Sequence, residues 1–266
     1  MVDQSPAGPE VICEMRGAAC WVRLNRPRVM NALNGTALRL LAEAVEQAVA
    51  APTVRAIVLI GEGGRAFSSG GDLRERSAPA TPGEADETER LSIEAFGMLR
   101  NCPKPVIAAI DGYCLGAGCE IAALADMRLA TESSRFGLPE VRHSLMPDPG
   151  LIELPRILPR GELMQMLLAG RPLSAQRAHE IGFVQQLLPD RTALIDAADA
   201  LAAEIALGAP VAAAAYKQVV CQTEAGLLAR ATGLRAPLWE GIKASADARE
   251  GERAFAEKRA PIWRNP

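Results

Sequence analysis

The order of apolar and polar positions predicts several kinds of element along this chain. Residues 11–14 and 18–24 are short runs with strand character. Residues 36–49 place Leu38, Leu41, Ala42, Val45 and Val49 on one helical stripe directly after an Asn34-Gly35 break, which predicts an amphipathic helix. Residues 56–60 and 105–110 are continuous apolar runs of strand length. The first leads into Gly61, Gly63, Gly64, Gly70 and Gly71 and the second into Gly112, Gly116 and Gly118, a weak repeat at a spacing of about fifty residues. In each copy a glycine-rich turn separates a buried strand from a following helix, where backbone N–H groups are free to point at a ligand.

Residues 78–86, rich in Ala, Pro, Thr and acidic side chains, predict a surface excursion with the composition of a mobile lid, and a helix resumes by Thr88 and runs to Leu99. Beyond Arg191 strand signals vanish and an alanine-rich helical pattern takes over, broken at residues 208–210 and at Gly241. The expected organisation is an α/β core over residues 10–195 followed by a helical subdomain over residues 196–266.

Composition narrows the function classes. With 266 residues, 49% hydrophobic and 23% charged, the chain builds a large core without a metal or disulfide staple. Its 29 basic against 32 acidic side chains leave a net charge of −3, which removes the basic excess of a nucleic-acid binder. The six cysteines form no CxxC pair and none stands at zinc-finger spacing from His143 or His179, so they read as buried thiols of a reducing compartment, with no metal site. Residues 1–9 lack the basic and apolar regions of a signal peptide. The most apolar stretch, residues 106–125, is interrupted by Asp111 and Glu120, so no membrane span is expected and the location is expected to be cytoplasmic.

The glycine-rich turns fail two familiar tests. Gly116-Ala117-Gly118 begins like a dinucleotide fingerprint, but Ile121 stands at the third glycine position. Gly70 is followed by Gly71 and Asp72, where a phosphate-binding loop needs Lys and Ser or Thr. What remains is two turns, each able to offer an exposed N–H, the minimal geometry of an oxyanion hole; tight turns with no such role are the alternative.

Five segments in order make the chain resemble the crotonase superfamily, the enoyl-CoA hydratase and isomerase family. They are Leu24-Asn25-Arg26-Pro27-Arg28 with Asn31-Ala32-Leu33, residues 66–73, residues 104–120, residues 135–140 and residues 250–259. The resemblance implies a spiral of repeated ββα units with a C-terminal helical trimerisation segment, acting as a homotrimer or a homohexamer. It implies a coenzyme A thioester as substrate, in chemistry of the fatty-acid β-oxidation type, with no cofactor beyond the coenzyme A that the substrate carries.

Carried over by motif, the oxyanion donors are the N–H groups of Gly71 and Ala117, and Glu120 and Glu140 are the catalytic carboxylates. The substrate is expected against Arg28, Ala32, Ser69, Gly71, Asp72, Leu73, Ala117, Phe255 and Lys258, with Arg74 a further candidate for the phosphates. Asp72 is also expected to hold its turn, and His143 to be a surface or hydrogen-bonded residue. Alanine at 117, where many members have glycine, still supplies an N–H. The segment Ser144-Leu145-Met146-Pro147-Asp148-Pro149-Gly150 departs from the family's glycine-rich helix start: Pro149 lacks an N–H, and Asp148 is expected to bring negative charge near the carboxylates. Two glutamates suit hydration of a 2-enoyl-CoA. An isomerase or another acyl-CoA lyase or hydrolase, and a thioester binder without turnover, remain the alternatives.

Overall fold

The computed structural model describes residues 8–77, 82–223, 240–241, 244 and 246–262. The chain opens with a hairpin, β1 (Val11–Arg16) and β2 (Ala19–Leu24), a 3-10 turn at Pro27–Val29 and helix α1 (Gly35–Ala50). Asn34 caps α1 by accepting the Ala37 N–H at 2.8 Å. Three strand pairs follow: β3 (Ala56–Gly61) with β4 (Ala66–Ser68), β5 (Val106–Ile110) with β6 (Tyr113–Leu115), and β7 (Met127–Thr131) with β8 (Arg135–Gly137). After the first pair come α2 (Leu73–Ser77) and α3 (Pro82–Arg100), after the second α4 (Ala117–Leu124), and after the third a 3-10 turn at Glu140–His143. Next are α5 (Gly150–Ile157), α6 (Arg160–Ala169), β9 (Leu173–Ser174), α7 (Ala175–Glu180) and β10 (Gln186–Leu188). Helices α8 (Arg191–Leu207), α9 (Pro210–Thr223) and α10 (Ala246–Ala256) complete the named elements.

Each strand pair contributes its first member to a six-stranded sheet, ordered β1-β2-β3-β5-β7-β10, and its second to a four-stranded sheet, ordered β4-β6-β8-β9. Within the large sheet every pairing after β1–β2 is parallel. Parallel strands are stable when covered on both faces, which is why residues 56–60 and 105–110 read as continuous apolar runs. Ile57, Leu59, Ala108 and Ile110 face one core with Leu41 and Val45 of α1 and Ile121 of α4. Ala56, Val58, Ile60, Ile107 and Ala109 face the other, against Leu194, Ala198 and Ala202 of α8. This is the repeated ββα architecture that the resemblance implies.

Three expectations change. Helix α3 begins at Pro82, before the predicted Thr88, and takes in part of the proposed lid; residues 78–81 lie outside the described residues. Proline suits the first helical position because its missing N–H has no partner to lose there. The boundary expected after residue 195 falls inside α8, which runs unbroken and seats Leu194 on the chain's own sheet. The cysteines are not uniformly buried: Cys13 and Cys221 are exposed, and all six are free thiols. No single helix among the described residues is long and apolar enough to cross a membrane.

Candidate active site

The turn after β4 is held on three sides. Asn31, buried and left-handed at φ 54°, donates to the carbonyls of Glu62 (2.9 Å) and Ala66 (2.8 Å) and accepts the Arg26 N–H (2.9 Å). The Asn31 carbonyl accepts the Ser68 hydroxyl at 2.8 Å. The Leu33 N–H donates to Gly70 O at 2.8 Å and the Asp72 N–H to Leu33 O at 2.9 Å. Successive peptide groups in an extended segment point to opposite sides, so these two bonds turn the intervening Gly71 N–H away from Leu33. Among the described residues it has no acceptor.

The second amide arises differently. The Gly116 N–H donates to Gly137 O at 2.8 Å, and α4 starts at the next residue. Ala117 therefore carries the first N–H of a helix, which has no intrahelical acceptor and lies at the positive end of the helix dipole. The two turns touch: a Cβ on Gly70, whose φ is +97°, would stand 3.0 Å from Leu115 O and 3.3 Å from Ala117 N. Glycine is required there by both the backbone angle and the approach.

The carboxylates converge on the same place. Glu120 lies one turn into α4, buried, with Oε1 accepting the Gly150 N–H at 2.9 Å. Glu140 opens its 3-10 turn so that a Cβ on Gly116 would meet its Oε1 at 2.7 Å. Its Oε2 is enclosed and has no hydrogen-bond partner among the described residues. Burial, together with the charge of Glu140 and against the Gly150 N–H, pushes Glu120 up to about 8. Burial raises Glu140 to about 7. Carboxyl groups that hold protons near neutrality are suited to acid–base work.

The departing segment adapts to this pair. Pro147 and Pro149 are buried, and the N–H that Pro149 lacks is supplied by the next residue, Gly150, which holds Glu120. A negative charge that acts on Glu120 is that of Glu140.

The expected substrate residues fall into two groups. Ala32, Ser69, Asp72 and Leu73 surround the first turn: the Ser69 N–H donates to Met30 O at 2.9 Å, and α2 begins at Leu73. Asp72 accepts Arg26 Nη1 at 2.9 Å and the Arg74 N–H at 3.2 Å, so it holds the turn. Arg28 is exposed on the 3-10 turn before it. Phe255 belongs to α10, which packs on α2 and on the turn bearing Glu140, and Lys258 lies in the turn that follows α10. A Cβ on Gly251 would lie 2.4 Å from His143 O, and Phe255 stacks edge-on against His143 with ring centroids 5.8 Å apart. His143 is thus a half-buried packing partner with no ring hydrogen bond among the described residues, where a surface or hydrogen-bonded residue was expected; burial, then the Arg142 charge, lowers its pKa.

Sequence reasoning passed over Arg26, Asn31 and Gly150. Arg26 bonds Ala32 O at 2.6 Å and pairs with Glu10 at 3.3 Å as well as with Asp72. Both Arg26 and Asn31 stand in the first family-like motif, which was their available signal. Among the described residues no group of three or more His, Cys, Asp or Glu could hold a metal ion.

Comparison with known proteins agrees with this geometry. The family model for enoyl-CoA hydratase/isomerase matches residues 14–266. The chain is 34% identical to enoyl-CoA hydratase EchA19 of Mycobacterium tuberculosis over 263 residues, 97% of this chain and 98% of that one. It is 33% identical to 2,3-dehydroadipyl-CoA hydratase of Escherichia coli over 256 residues, 96% and 98% of the two chains. The crystal structure of carnitinyl-CoA hydratase from Mycobacterium avium matches with a TM-score of 0.83 at 32% identity, over 97% of this chain and 99% of that one. Two touching turns with unpaired amides, carboxylates raised beside them and relatives matched end to end make this chain a member of the enoyl-CoA hydratase/isomerase family of the crotonase superfamily.

Proposed function

We propose that the chain is an enoyl-CoA hydratase that adds water across the 2,3-double bond of a coenzyme A thioester. The observation that carries this reading is the pair of raised carboxylates, Glu120 and Glu140, beside two amides with no acceptor among the described residues. The thioester carbonyl accepts the Gly71 and Ala117 N–H groups. Water attacks the β-carbon, the double-bond electrons move onto the carbonyl oxygen, and the charged carboxylate takes a proton from the water. The other carboxyl then protonates the α-carbon as the enolate collapses. The pair begins and ends with one proton between the two groups, and the reaction uses no cofactor apart from the substrate's own coenzyme A. Each amide is worth roughly 3–4 kcal/mol in such a transition state.

Arg28, Lys258 and Phe255 flank this site as the groups for the coenzyme A portion. Self-association as a trimer or a dimer of trimers is supported by α9, where Val211, Tyr216 and Val220 are exposed. The apolar residues after Arg191, among them Leu194, Ile195, Leu201 and Ile205 and those at 227, 228, 234, 238 and 239, exceed what one edge of a core buries and predict a subunit interface; in the structure Leu194 is buried on the chain's own sheet, with Ile195, Leu201 and Ile205 packed beside it. The residues expected there at 227, 228, 234, 238 and 239 lie outside the described residues. A solution mass equal to a single 28.2 kDa chain at micromolar concentration overturns the association.

The reaction is tested with crotonyl-CoA in ¹⁸O-labelled water. A hydroxyacyl product labelled at the β-carbon is expected. Tight binding without product, or an unlabelled double-bond isomer from a β,γ-enoyl thioester in place of hydration, overturns the proposal.

A further inference from the structure

Away from the site, the β1–β2 hairpin carries two thiols that the proposed reaction does not use. Cys13 pairs across the ladder with Val22, and Cys20 with Met15. Residues two apart on a strand share a face, so Cys13 and Cys20 are diagonal neighbours on the side covered by α1. Cys13 is exposed and Cys20 buried. Each thiol shifts the titration of the other. Lys104, fixed by the Ala48 and Ala51 carbonyls at 2.7 and 2.6 Å, brings positive charge to Cys20.

We propose that Cys13 is a modification site, oxidised by hydroperoxides, and that Cys20 resolves the product into a disulfide within the hairpin. The Cys13 sulfur attacks the peroxide, the O–O bond breaks, and a sulfenic acid and one water form. The Cys20 sulfur then displaces the sulfenic oxygen as a second water, so two thiols lose two electrons to one hydrogen peroxide. The arrangement favours this order of events. The influence of Cys20 holds Cys13 down to about 7 against the opposing effect of burial, while Cys13 and burial push Cys20 far above its usual value. Near neutrality the exposed sulfur is the nucleophile and the buried thiol keeps its proton.

Diagonal neighbours in a hairpin stand about 7–8 Å apart at Cα, at the edge of disulfide reach. Bridging them bends β1, which among the described residues is an edge strand. A bond formed under that bend is readily reduced, so the modification is reversible.

Peptide mapping of the intact protein after brief exposure to hydrogen peroxide should find Cys13 joined to Cys20, and glutathione should restore both thiols. Iodoacetamide labelling of Cys13 in untreated protein should be half-maximal near pH 7. In folded Cys20→Ser the bridge is lost, a sulfenic acid on Cys13 becomes trappable by dimedone, and labelling at pH 7 slows roughly three- to fivefold as the thiol returns toward its ordinary value. Wild-type Cys13 that titrates like glutathione, or that oxidises to sulfinic acid without any bridged peptide, overturns the proposal. Both wild-type measurements decide the matter even if the variant does not fold.

Discussion

Glu120 and Glu140 can be set against Glu250, a residue of the same type that is also buried, in the helix packed over their site. Glu250 is bonded by Arg259 at 2.6 Å, by the Ile262 N–H at 2.8 Å and by Arg253. Those partners hold its carboxyl far below the usual range. Glu120 receives one N–H, and one oxygen of Glu140 has no partner among the described residues. Other arginines are committed elsewhere: Arg26 to Asp72 and Glu10, Arg142 to Ala169 O, and Arg100 and Arg156 to Glu153. Where the chain supplies cations a carboxylate fastens structure; where it withholds them the carboxyl keeps a proton to exchange.

Breaking the unsatisfied pair has the largest expected effect. Glu120→Gln and Glu140→Gln keep the shape and abolish proton exchange, so each should lower kcat by about 10²–10⁴ with folding intact. Steady-state rates on crotonyl-CoA check this, and wild-type-like turnover in either variant removes that residue from the chemistry. Next in size is the loss of one amide donor. Ala117→Pro suits the first position of α4, and Gly116 before it, at φ 52° and ψ −129°, has no Cβ to clash with the ring. The helix should survive while kcat/KM falls roughly 10²–10³-fold. An unchanged rate with an intact circular dichroism spectrum assigns the oxyanion elsewhere.

The smallest effects are in stability, and the two kinds of glutamate should show opposite signs. A raised carboxyl favours the folded state below its unfolded value near 4.5 and loses that contribution as pH climbs through about 7–8. A lowered carboxyl contributes above 4.5 and loses its contribution in acid. Glu120→Gln should therefore raise Tm at pH 8 by an amount equivalent to about 1–2 kcal/mol, with the gain closing toward pH 4.5. Glu250→Gln should lower Tm at pH 7, with the loss closing in acid. Calorimetric scans from pH 4 to pH 9 measure both slopes; parallel slopes dissolve the contrast.

What could be read in advance followed from local chemistry. The strands at 56–60 and 105–110 are legible because α8 covers one face and α1 and α4 the other, leaving no polar position to interrupt the run. Helix α1 announces itself through Asn34 and its stripe. Strands β4, β6 and β8, three residues each, are too short to carry a period. The start of α3, Pro82-Gly83-Glu84-Ala85-Asp86, is polar and acidic in sequence and carries no apolar stripe to announce a helix. A helical stripe shows that a face is buried without saying against what, so Leu194 looked like a subunit contact and proved to be core. The oxyanion amides and the two glutamates came from motif resemblance. The grip of Arg26 on Asp72, 46 residues away, and of Gly150 on Glu120, 30 residues away, depends on tertiary approach that no local pattern encodes.

The contact between Gly70 and Ala117 has a consequence for how this protein ages and fails. In the proposed reaction the two amide donors belong to different repeats of the spiral, and neither repeat contains both. Alignment of the donors on one oxygen within a few tenths of an ångström is therefore a property of how adjacent repeats dock, and turnover is a ruler laid across that joint. Slight slippage, too small to alter secondary structure, leaves both amides formed and aimed at different points. Loss of catalysis should thus be an early sign of wear, ahead of any spectroscopic sign of unfolding.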